Sequence, residues 1–255
     1  MLDLPSFVLS CTSRLSSSVF RLPSFSALTD AVAAVVIAPV CAACKAPLDY
    51  PTRGAVCDEC WAAATPLTPF GRDALPPLIE HAAAIGAYDG RLRDIVQALK
   101  YDRRPTIARH LAARMRWAGA EVLAGADAVV PVPLHRSRQR ERGFNQAHEH
   151  ARHLGIPVLD ALIRTRRTES QADLPAARRR ANVRGAFAMS RGPRRSGRGI
   201  HGVRGLVLVL IDDVTTTGAT LNACADVLVA AGAEDVRALV AARAALKVTA
   251  GVPQR

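Results

Sequence analysis

Apolar and polar positions follow two rhythms along this chain. At residues 206–211 six consecutive apolar residues, LVLVLI, run into Asp212 and Asp213. A continuous apolar run of that length predicts a strand buried on both faces, as in a parallel sheet. DAVVPVP at 127–133 is a second run of the kind, stopped by prolines, and further strands are expected near Val158 and over 236–241. Between them the rhythm turns helical. Leu92, Ile95, Val96 and Leu99 recur on one face of 89–99, the signature of an amphipathic helix. A second helix is expected from Pro105 to about Trp117, a third over 144–154 before Gly155, and a fourth over 220–231 before Gly232. Glycine is the residue that most readily closes a helix. Strands alternating with helices predict an α/β fold, a mainly parallel sheet with helices on both faces.

The residues after the first run change the picture from fold to chemistry. Asp212 and Asp213 are followed by Val-Thr-Thr-Thr-Gly-Ala-Thr and then by the fourth helix. The N–H groups and dipole of a helix N-terminus favour an anion. Threonine hydroxyls add donors, and a glycine lets the backbone approach a ligand. The two carboxylates suit a neighbouring group rich in hydroxyls, or a metal ion, so a sugar phosphate fits the whole segment. An apolar run ending in two aspartates also occurs in ATPases, but the GxxxxGK[ST] loop they require is missing upstream.

LHRSRQRERG, after the second run, is expected to be a polar loop carrying Arg136, Arg138, Arg140 and Arg142. Ligands of open α/β sheets bind at the C-terminal ends of the strands. Both loops should therefore face one crevice, where arginines can neutralise a pyrophosphate. His148 and His150 lie about 200° apart on a helix, so His148, His150 and His153 are expected at the surface rather than around a metal.

Charge sharpens the location. The 255-residue chain has a net charge of +12, and residues 131–205 account for all of it, with seventeen arginines against five acids. Such a segment suits a diphosphate or nucleic acid. Aromatic residues make up only 4%, which leaves few stacking platforms for single strands. RGPRRSGRGIHGVR at 191–204 has little to bury and is expected to be a loop. Residues 1–37 are expected to be a poorly ordered extension. The apolar run at 31–40 is too short to span a bilayer, and the chain is expected to be cytoplasmic.

Cys41, Cys44, Cys57 and Cys60 form C-x2-C-x12-C-x2-C. Two such knuckles complete a tetrahedral four-thiolate zinc site. Two disulfides are the alternative, but nothing in the chain marks it as secreted. With four protein ligands, a bound Zn2+ would be structural. Cys224 is expected to be a small buried residue.

IDDVTTTGATL resembles the phosphoribosyl pyrophosphate motif of type I phosphoribosyltransferases. Together with CAAC…CDEC, LKYDRR, VVPVPLHRSRQRERGFNQA and RTRRTESQADLPAARRRANVRGAF, in that order, it is similar to the ComF family of competence-associated, phosphoribosyltransferase-like proteins and their GntX-type relatives. The resemblance covers roughly residues 38–245. It implies a zinc ribbon at 38–66, a type I phosphoribosyltransferase domain at 80–245 and a tail at 246–255.

The resemblance also implies roles. Asp212 and Asp213 would accept hydrogen bonds from the ribose hydroxyls. Thr215, Thr216, Thr217, Gly218, Ala219 and Thr220 would cradle the 5′-phosphate. Mg2+, with Arg140 and Arg142, would hold the pyrophosphate, and Lys100 is a further phosphate contact. Residues 164–180, with Thr168, Ser170 and Gln171, resemble a mobile lid. The expected function is binding of phosphoribosyl pyrophosphate, with transfer of phosphoribose to a nitrogenous acceptor. The alternative is a non-catalytic DNA-uptake factor that binds nucleotide or single-stranded DNA with a competence helicase.

Overall fold

A computed structural model describes residues 29–30, 39–64, 76–101, 106–166, 183–195 and 202–244. The expected N-terminal extension lies almost wholly outside the described residues, as do most of the expected lid and the tail.

Four strands form one parallel sheet in the order β1-β6-β5-β2: β1 Ala82–Ala87, β2 Ala128–Pro131, β5 Val207–Thr215 and β6 Asp235–Arg243. β5 is central, and Val209, Leu210 and Ile211 are fully buried. Their alternation divides the core. Val209, Ile211, Leu239 and Ala241 face α2 (Gly90–Tyr101), α3 (Thr106–Ala118) and α6 (Gln146–Ala151), with the short α4 (Ala120–Leu123) following α3. Leu208, Leu210, Ala238 and Val240 face α7 (Ala219–Ala230). A strand covered on both sides has no use for polar alternation, which is why its sequence is an unbroken apolar run. A second sheet pairs β3 (Leu159–Arg164) with β4 (Phe187–Arg195) in antiparallel fashion. Val158, where a strand was expected, makes an isolated parallel bridge to Val129 just before β3.

Several boundaries differ from the sequence expectation. β5 continues past Ile211 to Thr215, because Asp212, Val214 and Thr215 pair with Val240, Ala242 and Arg243. The arginine segment is no loop: Arg136–Arg142 is a helix, α5, with the His135 side chain accepting from the Ser137 N–H. The expected helix at 144–154 is accordingly shorter, since Asn145 caps α6 by accepting from the Ala147 N–H. Within the expected loop at 191–204, residues 191–195 belong to β4, whose partner β3 lies far away in sequence. The alanine-rich β1 was not expected at all; its pairing with β6 makes it a strand.

The cysteine segment contains a short helix, α1 (Asp58–Ala62). Cys41, Leu48, Val56, Cys60 and Trp61 share one continuous apolar core with α2 and α3. Among the described residues no helix is long and apolar enough to cross a membrane.

Candidate functional site

β2 and β5 are adjacent and parallel, with Pro131 opposite Ile211. Everything that follows either strand therefore emerges at the same edge of the sheet. The last residues of β5 carry the two carboxylates, and the strand's period of two sends them to opposite faces.

Asp213 points to the side of α2 and α6. Its Oδ2 lies 3.0 Å from Lys100 Nζ, at the C-terminal end of α2, and the two side chains are 14% and 12% exposed. Burial alone would raise the Asp213 carboxyl, but Lys100 first, then Arg142 and His150, hold it below the usual carboxylate value. Asp212 points to the side of α7 and β4. Burial, then the charge of Asp213, push its carboxyl up to about 7, against the pull of its hydrogen bond from the Asp213 N–H, of Lys100 and of Arg164. That bond runs 2.8 Å to Asp212 Oδ1. Two adjacent carboxylates thus sit in separate environments that push their acidities apart.

The segment after the carboxylates turns into α7. Thr215 is buried, still in the strand, and its carbonyl accepts from the Ala244 N–H at 2.8 Å. Thr216 and Thr217 form the turn. Thr217 Oγ1 is buried and has no hydrogen-bond partner among the described residues. Gly218 is the N-cap with φ of +69°, and no side chain caps the helix. A β-carbon at Gly218 would lie 2.6 Å from Pro76 Cγ, so glycine is required twice over, by conformation and by space. Ala219 and Thr220 form the first turn of α7.

Of the arginines, α5 spreads alternate positions to opposite sides, because residues two apart differ by about 200° on a helix. Arg142 is half-buried. It donates to Gln146 Oε1 at 3.0 Å, stacks 5.7 Å from the Tyr101 ring centre and acts on Asp213. Arg140 is exposed on the opposite side of α5. Arg138 approaches Arg164 instead. Burial, then Arg138, pull the Arg164 guanidinium below its ordinary value, and Asp212 opposes them. Arg164 also lines a cavity of about 910 Å³ between α5–α6 and the β3–β4 pair, along with Arg136, Phe144, Asn145, His148 and Asp160.

The histidines depart from expectation. His148 pairs with Asp160 at 3.7 Å, and that bond raises its pKa against the effect of burial. His150 is not at the surface: it is fully buried, and neither ring nitrogen has a hydrogen-bond partner among the described residues. The signal was present in the sequence. Ala147, His150, Ala151 and Leu154 follow the three-and-four spacing of an apolar stripe, and all four are buried.

The four cysteine sulfurs all lie within 4.8 Å of one another. Cys41 and Cys60 are 3.9 Å apart, and Cys44 and Cys57 3.7 Å. Sulfurs on a tetrahedral zinc, each about 2.3 Å from the ion, stand about 3.8 Å apart, so these residues fit that metal. The Cys57 N–H donates to Cys41 Sγ at 3.4 Å. Burial would raise the Cys41 thiol, yet the backbone N–H groups of Cys44, Cys57 and Ala43 hold it at about 6, toward the thiolate a metal requires. Cys224 is fully buried, as expected.

A model of the phosphoribosyl transferase domain matches residues 140–248. Competence protein F of Haemophilus influenzae is 32% identical over 182 residues, 66% of this chain and 75% of its own length. The DNA utilization protein YhgH of Salmonella typhimurium is 33% identical over 200 residues, 72% of this chain and 82% of its own. Competence protein ComFC of Bacillus subtilis is 34% identical over 104 residues, 41% and 39% of the two chains. The fold is the type I phosphoribosyltransferase fold, with a mostly parallel sheet, preceded by a four-cysteine cluster consistent with a zinc ribbon.

Proposed function

The chain belongs to the ComF family, and from that premise we propose that it binds phosphoribosyl pyrophosphate at the C-terminal edge of β5. The observation that carries this reading is the turn at 215–218. It brings a buried threonine hydroxyl with no partner among the described residues, Thr217 Oγ1, to the N-terminus of a twelve-residue helix that no side chain caps, beside a glycine in the left-handed conformation. A 5′-phosphate satisfies these donors. Asp212 and Asp213, immediately upstream, then meet the ribose hydroxyls, one from each side of the strand.

Where transfer follows, the C1′–O bond to pyrophosphate breaks and a bond from C1′ to the acceptor nitrogen forms. Positive charge grows on the ribose ring and negative charge on the leaving group, so electrostatic stabilisation governs the rate. Asp212 and Asp213 lie where the ring charge develops. Arg142 and Lys100 lie on the Asp213 side, and Arg138 and Arg164 on the other. Mg2+ bound to the diphosphate would neutralise part of its charge. Arg140 is less well placed than Arg138 for this role. The four cysteines would hold a structural Zn2+.

Calorimetry with phosphoribosyl pyrophosphate and magnesium tests the binding. Wild type should bind, and Asp212→Asn with Asp213→Asn should lose about a hundredfold or more in affinity. No heat with wild type sinks the reading. Release of pyrophosphate on adding nitrogenous bases then separates a transferase from a binding protein.

A second reading, single-stranded DNA binding with a helicase partner in competence or DNA utilization, draws on the relatives' names and on the exposed Arg136 and Arg140. Affinity for single strands that did not fall with salt would count against it.

A further inference from the structure

Lys100 and Asp213 belong, on the reading above, to different parts of one ligand: the lysine to the diphosphate and the carboxylate to the ribose. In the structure they bind each other, at 3.0 Å and almost out of water. Each has lost most of its hydration, and the partner is what compensates. The other basic side chains around Asp213 are less free to leave. Arg142 is tied to Gln146 and stacked on Tyr101, and His150 is enclosed between α3 and the sheet. Lys100 carries a compact charge on a flexible four-carbon stem at the last turn of α2, 5.7 Å from the Tyr88 ring. It can change partners by rotating its side chain.

We propose that Lys100 is an exchangeable counter-ion: a diphosphate takes it from Asp213, and the carboxylate so released accepts the ribose hydroxyl. The proposal rests on the phosphoribosyl pyrophosphate reading and deepens it. It couples the two halves of the ligand. A ribose phosphate without a diphosphate meets Asp213 still held by Lys100, whereas the activated sugar brings the anion that frees it. Selectivity for the diphosphate form is then a property of one ion pair.

Inorganic pyrophosphate and ribose 5-phosphate, titrated separately by calorimetry, test this. Asp213→Asn should tighten pyrophosphate binding about tenfold, because Lys100 loses its rival anion, and should change ribose 5-phosphate binding less than about twofold, because that ligand alone meets Asp213 still held by Lys100. In a Lys100→Met background the gain for pyrophosphate should vanish. A gain of equal size in that background would reflect simple removal of a negative charge and would overturn the exchange, as would no gain with Lys100 in place. An independent measurement needs no variant. The chain has three lysines, Lys45, Lys100 and Lys247, so the ammonium resonances of nitrogen-labelled lysine are few. Pyrophosphate should move the Lys100 signal and leave the other two. A Lys100 signal unmoved at saturating pyrophosphate, or no pyrophosphate binding, overturns the proposal. Phosphoribosyl pyrophosphate that binds no more tightly than pyrophosphate alone, with pyrophosphate behaving as stated, would instead remove the phosphoribosyl reading and leave the ion exchange standing.

Discussion

The guanidinium carbon of Arg114 lies 3.8 Å from the centre of the Trp61 ring. One turn earlier on α3, the His110 ring stands 6.3 Å from Trp61 and presses on Gly54, where a β-carbon would come within 2.8 Å of His110 Nε2. The cysteine module is thus seated on α3 by a cation–π contact, a tilted ring pair and a close backbone approach. α3 in turn packs on α6, which carries His150.

Truncating that anchor should be costly. Trp61 is 9% exposed, and Trp61→Ala should lower stability by about 3 kcal/mol through lost burial and the lost cation–π contact. Urea unfolding followed by circular dichroism checks it. A loss below about 1 kcal/mol would mean the module is only loosely attached.

Metal removal should reach beyond the cysteines. A chelator should release about one zinc per chain. Because the module shares its core with α3, it should also speed amide exchange over 107–115. Exchange there that is indifferent to chelation would show that the two parts are stabilised separately.

Gly218 can be tested by a single methyl group. Gly218→Ala places a side chain at φ of +69° and 2.6 Å from Pro76 Cγ. The strain and clash should cost about 1–3 kcal/mol of stability. They should also weaken ribose 5-phosphate binding about tenfold or more by moving the turn proposed to meet the phosphate. Unchanged affinity would place the phosphate elsewhere.

His150 predicts acid sensitivity. Burial holds its pKa at about 4, against an ordinary 6.5. Protons therefore bind the unfolded chain first, so its contribution is complete above pH 6.5 and is lost as pH falls from there toward 4. The full loss is about 3 kcal/mol. His150→Phe should flatten the stability profile in that window, and a profile of unchanged slope would rule the residue out.

Asp212 acts with the opposite sign. Its pKa is raised from 3.8 to about 7, so the folded chain holds a proton that the unfolded chain has released. Its contribution is complete below about pH 4 and is lost as pH rises through 7. Asp212→Asn should therefore gain stability relative to wild type from pH 5 to pH 8. An equal difference at both pH values would show that Asp212 does not titrate there.

Much of this was legible along the chain because it is local chemistry. The apolar runs of β2 and β5, the Asp-Asp-Val-Thr-Thr-Thr-Gly order and the two cysteine knuckles each sit within a few residues. Sterics and hydrogen bonding act at that range, so such patterns announce themselves. The tertiary structure alone decided the rest. β1 is alanine-rich and becomes a strand only by pairing with β6. β5 runs on to Thr215 because β6 continues beside it, and that extension turns Asp212 and Asp213 to opposite faces. Lys100 reaches Asp213, and Arg164 comes near Asp212, across stretches of chain that only folding brings together. A sequence states which groups can ionise or donate. Which of them share a buried, low-dielectric space depends on long-range packing.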